Sequence, residues 1–231
     1  MASKRADREE ERRRTILRAA VEVFSRKGYH GCRMSDVARE AGVAYGLVYH
    51  YFKNKDELLQ SVFSIGWSGF LFRIQEKLGA AQNLEARIIG IVSVAFEALR
   101  RDPRGVRVLI LEVGRSPSAG AALNRGEAFS SVIELAASLF RDARAAKEIS
   151  ADSDPVLMAS QLFGAVEMSL TACVLGMVDT STPEALDKAR DQVLASILRG
   201  VLGSAGGSIS RGESTWAEAK SPSLSTRVRP G

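Results

Sequence analysis

The chain has 231 residues, 45% of them hydrophobic and 26% charged, with a net charge of +5. That is enough for one large domain, or a small module joined to a larger one, around a real core. The charge is uneven, with 13 Lys and Arg against 9 Asp and Glu in residues 1–60 and a nearly neutral remainder, so an anionic partner is expected for the N-terminal end only. Cys32 and Cys173 are far apart, no CxxC occurs and the histidines are His30 and His50, which argues against a zinc site and for reduced thiols in the cytoplasm. The opening "MASKRADREEERRR" has charge but no apolar stretch behind it, so no secretory leader is expected.

In chain order, Ile16, Ala20, Val23 and Phe24 recur at helical spacing between Glu9 and Lys27, and Gly28 offers a C-terminal stop. "MSDVAREAG" (34–42) predicts a short helix ending at Gly42, with Met34, Val37, Ala38 and Ala41 on one face. "YGLVYHYF" (45–52) predicts a second short helix, held by Val48 and Phe52. Asn54 and Glu57 then form a capping-box pattern that starts a long helix through about Leu78.

Further helices are expected at about 83–101, 103–114, 118–147, 154–178 and 183–203, punctuated by Pro103, Pro117, Pro155 and Pro183 at first-turn positions. No segment alternates at period two, so the fold class is all-α. Residues 204–231, rich in Gly, Ser and Pro, are expected to form a disordered tail. The apolar run 155–178 is long enough to cross a bilayer, but Gln161 and Glu167 lie within it. A midplane carboxylate costs about 3 kcal/mol, so a buried helix of a soluble bundle is expected, with no membrane partner.

Two short helices around a tight Gly-containing turn, behind one longer helix, make a helix-turn-helix. The second helix carries Tyr45, Tyr49, His50 and Tyr51 within seven positions, a density of polar-tipped rings that a core rarely takes. Tyr45, Gly46, Leu47, Tyr49 and His50 fall on its outer side, suited to a DNA major groove, and Tyr51 reads as a packing residue. Gly46 removes bulk where backbone nears the duplex. Lys55, opening the next helix, is placed to reach a phosphate. The arginines among Lys4, Arg5, Arg8, Arg12, Arg13 and Arg14 are interleaved with acids, which fits a solvated helix face as well as a DNA backbone track.

From Arg12 to Leu59, "RRRTILRAAVEVFSRKGYHGCRMSDVAREAGVAYGLVYHYFKNKDELL" resembles the TetR/AcrR family of bacterial transcription regulators without a gap. The resemblance implies a DNA-binding domain over residues 11–71, a helical ligand-binding and dimerisation domain over 72–203, and a homodimeric repressor that a small molecule releases from operator DNA. The candidate DNA contacts are Arg33, Ser35, Ala44, Tyr45, Gly46, Leu47, Tyr49, His50 and Lys55. The family usually has Thr where Arg33 stands, as a helix cap. Arg33 cannot accept that bond, which weakens the cap by about 1 kcal/mol and offers an arginine to phosphate instead. Ala44 and Leu47 replace frequent Ser or Thr, so fewer hydrogen bonds to bases are expected, with Leu47 against a thymine methyl.

Residues 72–203 hold no histidine, no phosphate loop and no acid–base constellation, so neither an enzyme nor a cofactor nor a metal site is expected. Helices 154–178 and 183–203 suit pairing with their copies in a second subunit, with Gly164, Ala165, Ser169, Ala172 and Gly176 allowing close approach. "DPRGVRVLILEVGRSPS" and "ADSDPVLMASQLFGAVEMSLTACVLG" resemble the acyl-CoA-sensing fatty-acid-degradation regulators of the family. That resemblance implies an apolar tunnel for a lipophilic effector such as acyl-CoA, with Arg104, Arg107 or Arg115 at its mouth. Glu167 has two readings, a cavity-lining group or a carboxylate paired across the dimer. An activator of the same fold, a sensor of a drug-like compound and a membrane-associated helical protein are the alternatives.

Overall fold

The computed structural model describes residues 2–113 and 125–202, with side chains over 5–111 and 130–202. Arg115, the start of the helix expected at 118 and the expected tail 204–231 lie outside the described residues. Every described element is helical. α1 spans Ala2–Gly31, α2 Met34–Ala41, α3 Tyr45–Tyr51, α4 Lys55–Ala80 and α5 Leu84–Arg101. α6 (Pro103–Arg107) continues into a π-helical stretch, Val108–Val113, followed by α7 (Arg125–Ala145), α8 (Pro155–Val174) and α9 (Pro183–Leu202).

The helix boundaries follow local chemistry. Gly28 breaks α1 with φ 68°, as its sequence position predicts, and one more turn follows to Gly31. Asn54 Oδ1 accepts from the Glu57 N–H and Asn83 Oδ1 from the Ala86 N–H, each at 2.8 Å, capping α4 and α5. Pro103 and Pro155 stand in the first turns of α6 and α8 behind the caps Asp102 and Asp154. Gly105 leaves room for the cap: a Cβ there would lie 2.1 Å from Asp102 Oδ2 and displace the carboxylate that caps α6. The single helix expected over 103–114 is thus two pieces, and the apolar "VLILEV" that forms the π stretch has no local signal that sets it apart.

Two cores result. The first gathers Ile16, Ala20, Phe24, Val37, Val48, Phe52 and Leu58 from α1 to α4. The second gathers Ile88, Phe96, Phe140, Ala159 and Leu162 from α5, α7 and α8, with Leu186 from α9. Val106 is buried in the second core and Val108 in the first, so the α6–π segment is shared between them. α8 packs on α7 and α5, while α9 packs on α5 and α8.

α8 is not the buried helix expected from its composition. It is long and apolar enough to cross a membrane, with mean hydropathy 1.4, yet only 22% of that stretch is buried. Leu162, Val166 and Leu170 face inward, whereas Val156, Leu157 and Met168 are exposed, with Leu175 just beyond its end. A helix apolar on both sides has a second surface that one chain leaves uncovered.

Candidate nucleic-acid interface and effector cavity

The α2–α3 turn is set by Gly42, at φ 63° and ψ 33°, whose left-handed conformation ends α2; the Val43 N–H then donates to Ala38 O at 3.0 Å. Asp36 fixes the other end of α2. Its carboxylate accepts from the Arg33 N–H at 3.0 Å and pairs with Lys27 and Arg39, each at 2.8 Å. The Lys27 hydrogen bond, then the Arg33 N–H, hold its pKa below the ordinary 3.8. Arg33 itself provides no side-chain cap, as its lack of an acceptor dictates.

Val48 and Phe52 are fully buried and clamp α3 to the first core. The same register turns Tyr45, Gly46, Tyr49 and His50 outward together, at i, i+1, i+4 and i+5. The Tyr45 hydroxyl donates to the Tyr49 oxygen at 3.2 Å, and the two rings meet edge to face at 5.0 Å. A Cβ on Gly46 would meet nothing within 4 Å, so nothing inside the chain demands a glycine there. Arg33, Ser35 and Ala44 are exposed beside this surface, Leu47 is half-buried at its edge, and Tyr51 packs on the first core.

Lys55 is placed differently from the expectation. Its ammonium donates to Tyr29 O at 2.6 Å and Cys32 O at 3.0 Å, and lies 4.2 Å from the Tyr29 ring centroid. It closes the carbonyl end of α1, where a cation is favoured, rather than reaching outward. Lys53, two residues earlier and exposed, is the cation that faces solvent beside the recognition helix. Sequence offered the same charge at both positions and no means to tell them apart.

The second site is a cavity of about 880 Å³ between the two cores. Its apolar wall is built by Phe63, Trp67 and Phe70 of α4, Leu109 of the π stretch, and Phe163 and Val166 of α8. Arg13, Arg14 and Arg18 of α1 and Arg101 of α5 also line it, so the helix that packs on α2 forms part of the wall. The volume is within the range that small-molecule sites occupy. Arg104 and Arg107 are not at its mouth. Arg104 pairs with Glu22 at 2.7 Å, and Arg107 donates to Val174 O at 3.0 Å, both beside a separate hollow of about 340 Å³. Glu167 is exposed and lies at the edge of the larger cavity.

Among the described residues no group of His, Cys, Asp and Glu could hold a metal ion. Burial raises the Cys32 thiol to about 11 and also raises Cys173, which favours the protonated thiol at both.

A family model for bacterial regulatory proteins of the tetR family matches residues 16–62. The HTH-type transcriptional regulator UidR of Escherichia coli (strain K12) is 30% identical over 195 residues, covering 83% of this chain and 91% of that protein. The chain belongs to the tetR family. It is therefore a DNA-binding transcriptional regulator with a helix-turn-helix, and α2 and α3 are that motif. Within this family, it is also 28% identical over 160 residues to the fatty acid metabolism regulator protein of Bacillus subtilis (strain 168), covering 69% of this chain and 82% of that protein. The crystal structure of the transcriptional regulator FadR from Bacillus subtilis in complex with stearoyl-CoA superposes with a TM-score of 0.71 at 26% identity, covering 80% of this chain and 97% of that one.

Proposed function

We propose that this tetR-family regulator is a homodimeric repressor released from its operator by a lipophilic effector of the acyl-CoA class. One observation carries the reading: the large apolar cavity is walled by α1 and α4, which share the first core with the DNA-binding helices, as well as by α5 and α8 of the second core. A ligand between them has different contacts in different relative positions of the two, which is what a shift in the DNA-binding population requires. The relation to a fatty acid regulator and to a fold that binds stearoyl-CoA supports the same ligand class. Arg13, Arg14, Arg18 and Arg101 line this cavity, whereas Arg104 and Arg107 lie beside the smaller hollow, so the first set is the better placed for the phosphates of such a ligand.

DNA is met by the outward face of α3, with Tyr49, His50 and Tyr45 at base edges and phosphates, and Arg33 and Lys53 along the backbone. The second copy covers the exposed side of α8. Leu157, Gly164, Met168 and Leu175 follow one another at intervals of seven, four and seven residues, which keeps them on one helical stripe, and a Cβ on Gly164 would meet nothing within 4 Å of its own chain. Two α8–α9 pairs then make a four-helix interface and set two recognition helices on one side of a near-palindromic operator.

The test is fluorescence anisotropy on a duplex selected from a random pool, titrated with lauroyl-, palmitoyl- and stearoyl-CoA and with free CoA. Release by the acyl compounds and not by CoA is expected. Retention of the duplex by the protein under all four additions rejects the effector class.

A further inference from the structure

α4 carries two polar donors within its otherwise apolar share of the cavity wall. Trp67 is stacked on Phe63 at 5.6 Å and 16°, and tilted against Phe70 at 5.7 Å, so its ring orientation is fixed. Its indole N–H is buried and, among the described residues, has no hydrogen-bond partner. Six residues on, the Nε of Arg73 is buried in the same condition, and both side chains line the cavity. The contrast with Arg87 is instructive. That arginine also has a buried, unpartnered Nε, but its Nη1 reaches Asp142 at 3.5 Å and it is not part of the cavity wall. Arg73 forms no ion pair among the described residues, and its neighbours along α4 are Phe70, Leu71, Phe72 and Ile74.

Buried donors are nearly always paired, because leaving one unmade forfeits its hydration without return. Two such donors about 9 Å apart along one helix, by the rise per residue, both in a cavity wall, mark where a ligand places oxygen. A cation with planar donors selects an acceptor, and an anionic one above all. Arg73 also lies on the side of α4 shared with Gly66, whose Cβ position is 3.3 Å from Leu109 of the π stretch.

We propose that Trp67 and Arg73 form an acceptor subsite within the cavity that takes the carbonyl or carboxylate oxygens at the head of an acyl chain. The proposal rests on the effector reading above and adds to it that the acyl oxygen, not the chain alone, is recognised. Two compounds offer that oxygen, a free fatty carboxylate and an acyl thioester.

The experiment compares the wild type with Arg73→Met and Trp67→Phe, which keep bulk and remove donors. Three probes are used: the neutral fluorophore N-phenylnaphthylamine, dodecanoate and lauroyl-CoA. The fluorophore reports whether the cavity takes apolar matter at all. Arg73→Met is expected to weaken whichever acyl compound the wild type binds by about ten- to a hundredfold, with Trp67→Phe weaker in the same direction and fluorophore uptake unchanged. Ligand-free Arg73→Met should melt no lower than the wild type, since it loses an unpaired buried donor, while its ligand-induced rise in Tm shrinks. A merely structural arginine would lower the ligand-free Tm instead. Binding by dodecanoate alone assigns the carboxylate, and binding by lauroyl-CoA alone assigns the thioester, and either supports the subsite. Wild-type affinity for the acyl compound in both variants overturns it, as does a wild type that takes the fluorophore and neither acyl compound. A wild type that takes none of the three overturns the effector cavity itself.

Discussion

Glu22 of α1 and Arg104 of α6 form an ion pair at 2.7 Å that ties the helix carrying the DNA-binding module to the segment shared by the two cores. Arg104 is exposed and Glu22 half-buried, so solvent screens the pair and it contributes about 1 kcal/mol to folding. Its expected role is in coupling. Glu22→Gln and Arg104→Met should shift Tm little, while the effector concentration that releases half the operator moves several-fold. Anisotropy titrations on both variants check this, and response curves superposing on the wild type would dismiss the pair as a link.

Val108 makes the related point inside the fold. It is fully buried in the first core, although its neighbour by two, Val106, belongs to the second. Val108→Ala removes two carbons from a packed site and should cost about 2 kcal/mol by urea denaturation. Amide exchange should then quicken in α1 and α4, with α7 and α8 unaffected. Faster exchange confined to α7 and α8 would contradict the shared-segment description.

Lys53 and Lys55 separate a DNA contact from a structural cation. Lys55→Met removes two bonds to helix-end carbonyls and is expected to destabilise the protein by about 1.5–3 kcal/mol. The salt dependence of operator binding should stay as in the wild type. Lys53→Met should leave stability within about 0.5 kcal/mol and reduce the slope of log K against log salt by about 1. An exchange of these two phenotypes would return Lys55 to the phosphate backbone.

These two lysines also mark what sequence can disclose. α3 is legible because its evidence is local: Val48 and Phe52 four apart, rings between them and a Gly42 turn before. Lys55 is not, because the carbonyls it caps belong to Tyr29 and Cys32, 26 and 23 positions away. Arg104 and Arg107 have the same history, their partners being 82 and 67 residues distant. Arg73 did leave a trace, a lone cation in "GFLFRI", but an amphipathic helix explains such a residue equally well until the cavity is seen around it. The apolar character of 155–178 was plain in sequence. Its division between an inner and an outer side was not, since both are apolar and hydropathy alone does not separate them.

Acid should loosen the α1–α2 junction through Asp36. Its carboxyl is held below the ordinary value of 3.8 by Lys27 first and the Arg33 N–H second. A depressed folded-state pKa stabilises above the unfolded value, and that contribution is lost as pH falls through the folded one. Asp36→Asn is therefore expected to lower Tm at pH 7, with the gap to the wild type closing as pH falls below 3.8. Melting curves from pH 7 to pH 2 decide it. A gap that persists undiminished at the acid end would show that the side chain acts through shape and not charge.

The outer side of α8 gives the last test. Leu157 is 58% and Met168 67% exposed in the single chain, so neither holds the subunit together. Leu157→Glu and Met168→Glu should each leave the helical content unchanged. In a two-fold interface every substitution acts twice, and a carboxylate buried there without a partner costs several kcal/mol per copy. Light scattering on a sizing column should then report monomers where the wild type runs as a dimer. Operator affinity should fall with dimerisation, because one recognition helix alone lacks the second half-site. Dimers persisting in both variants would move the interface to another surface.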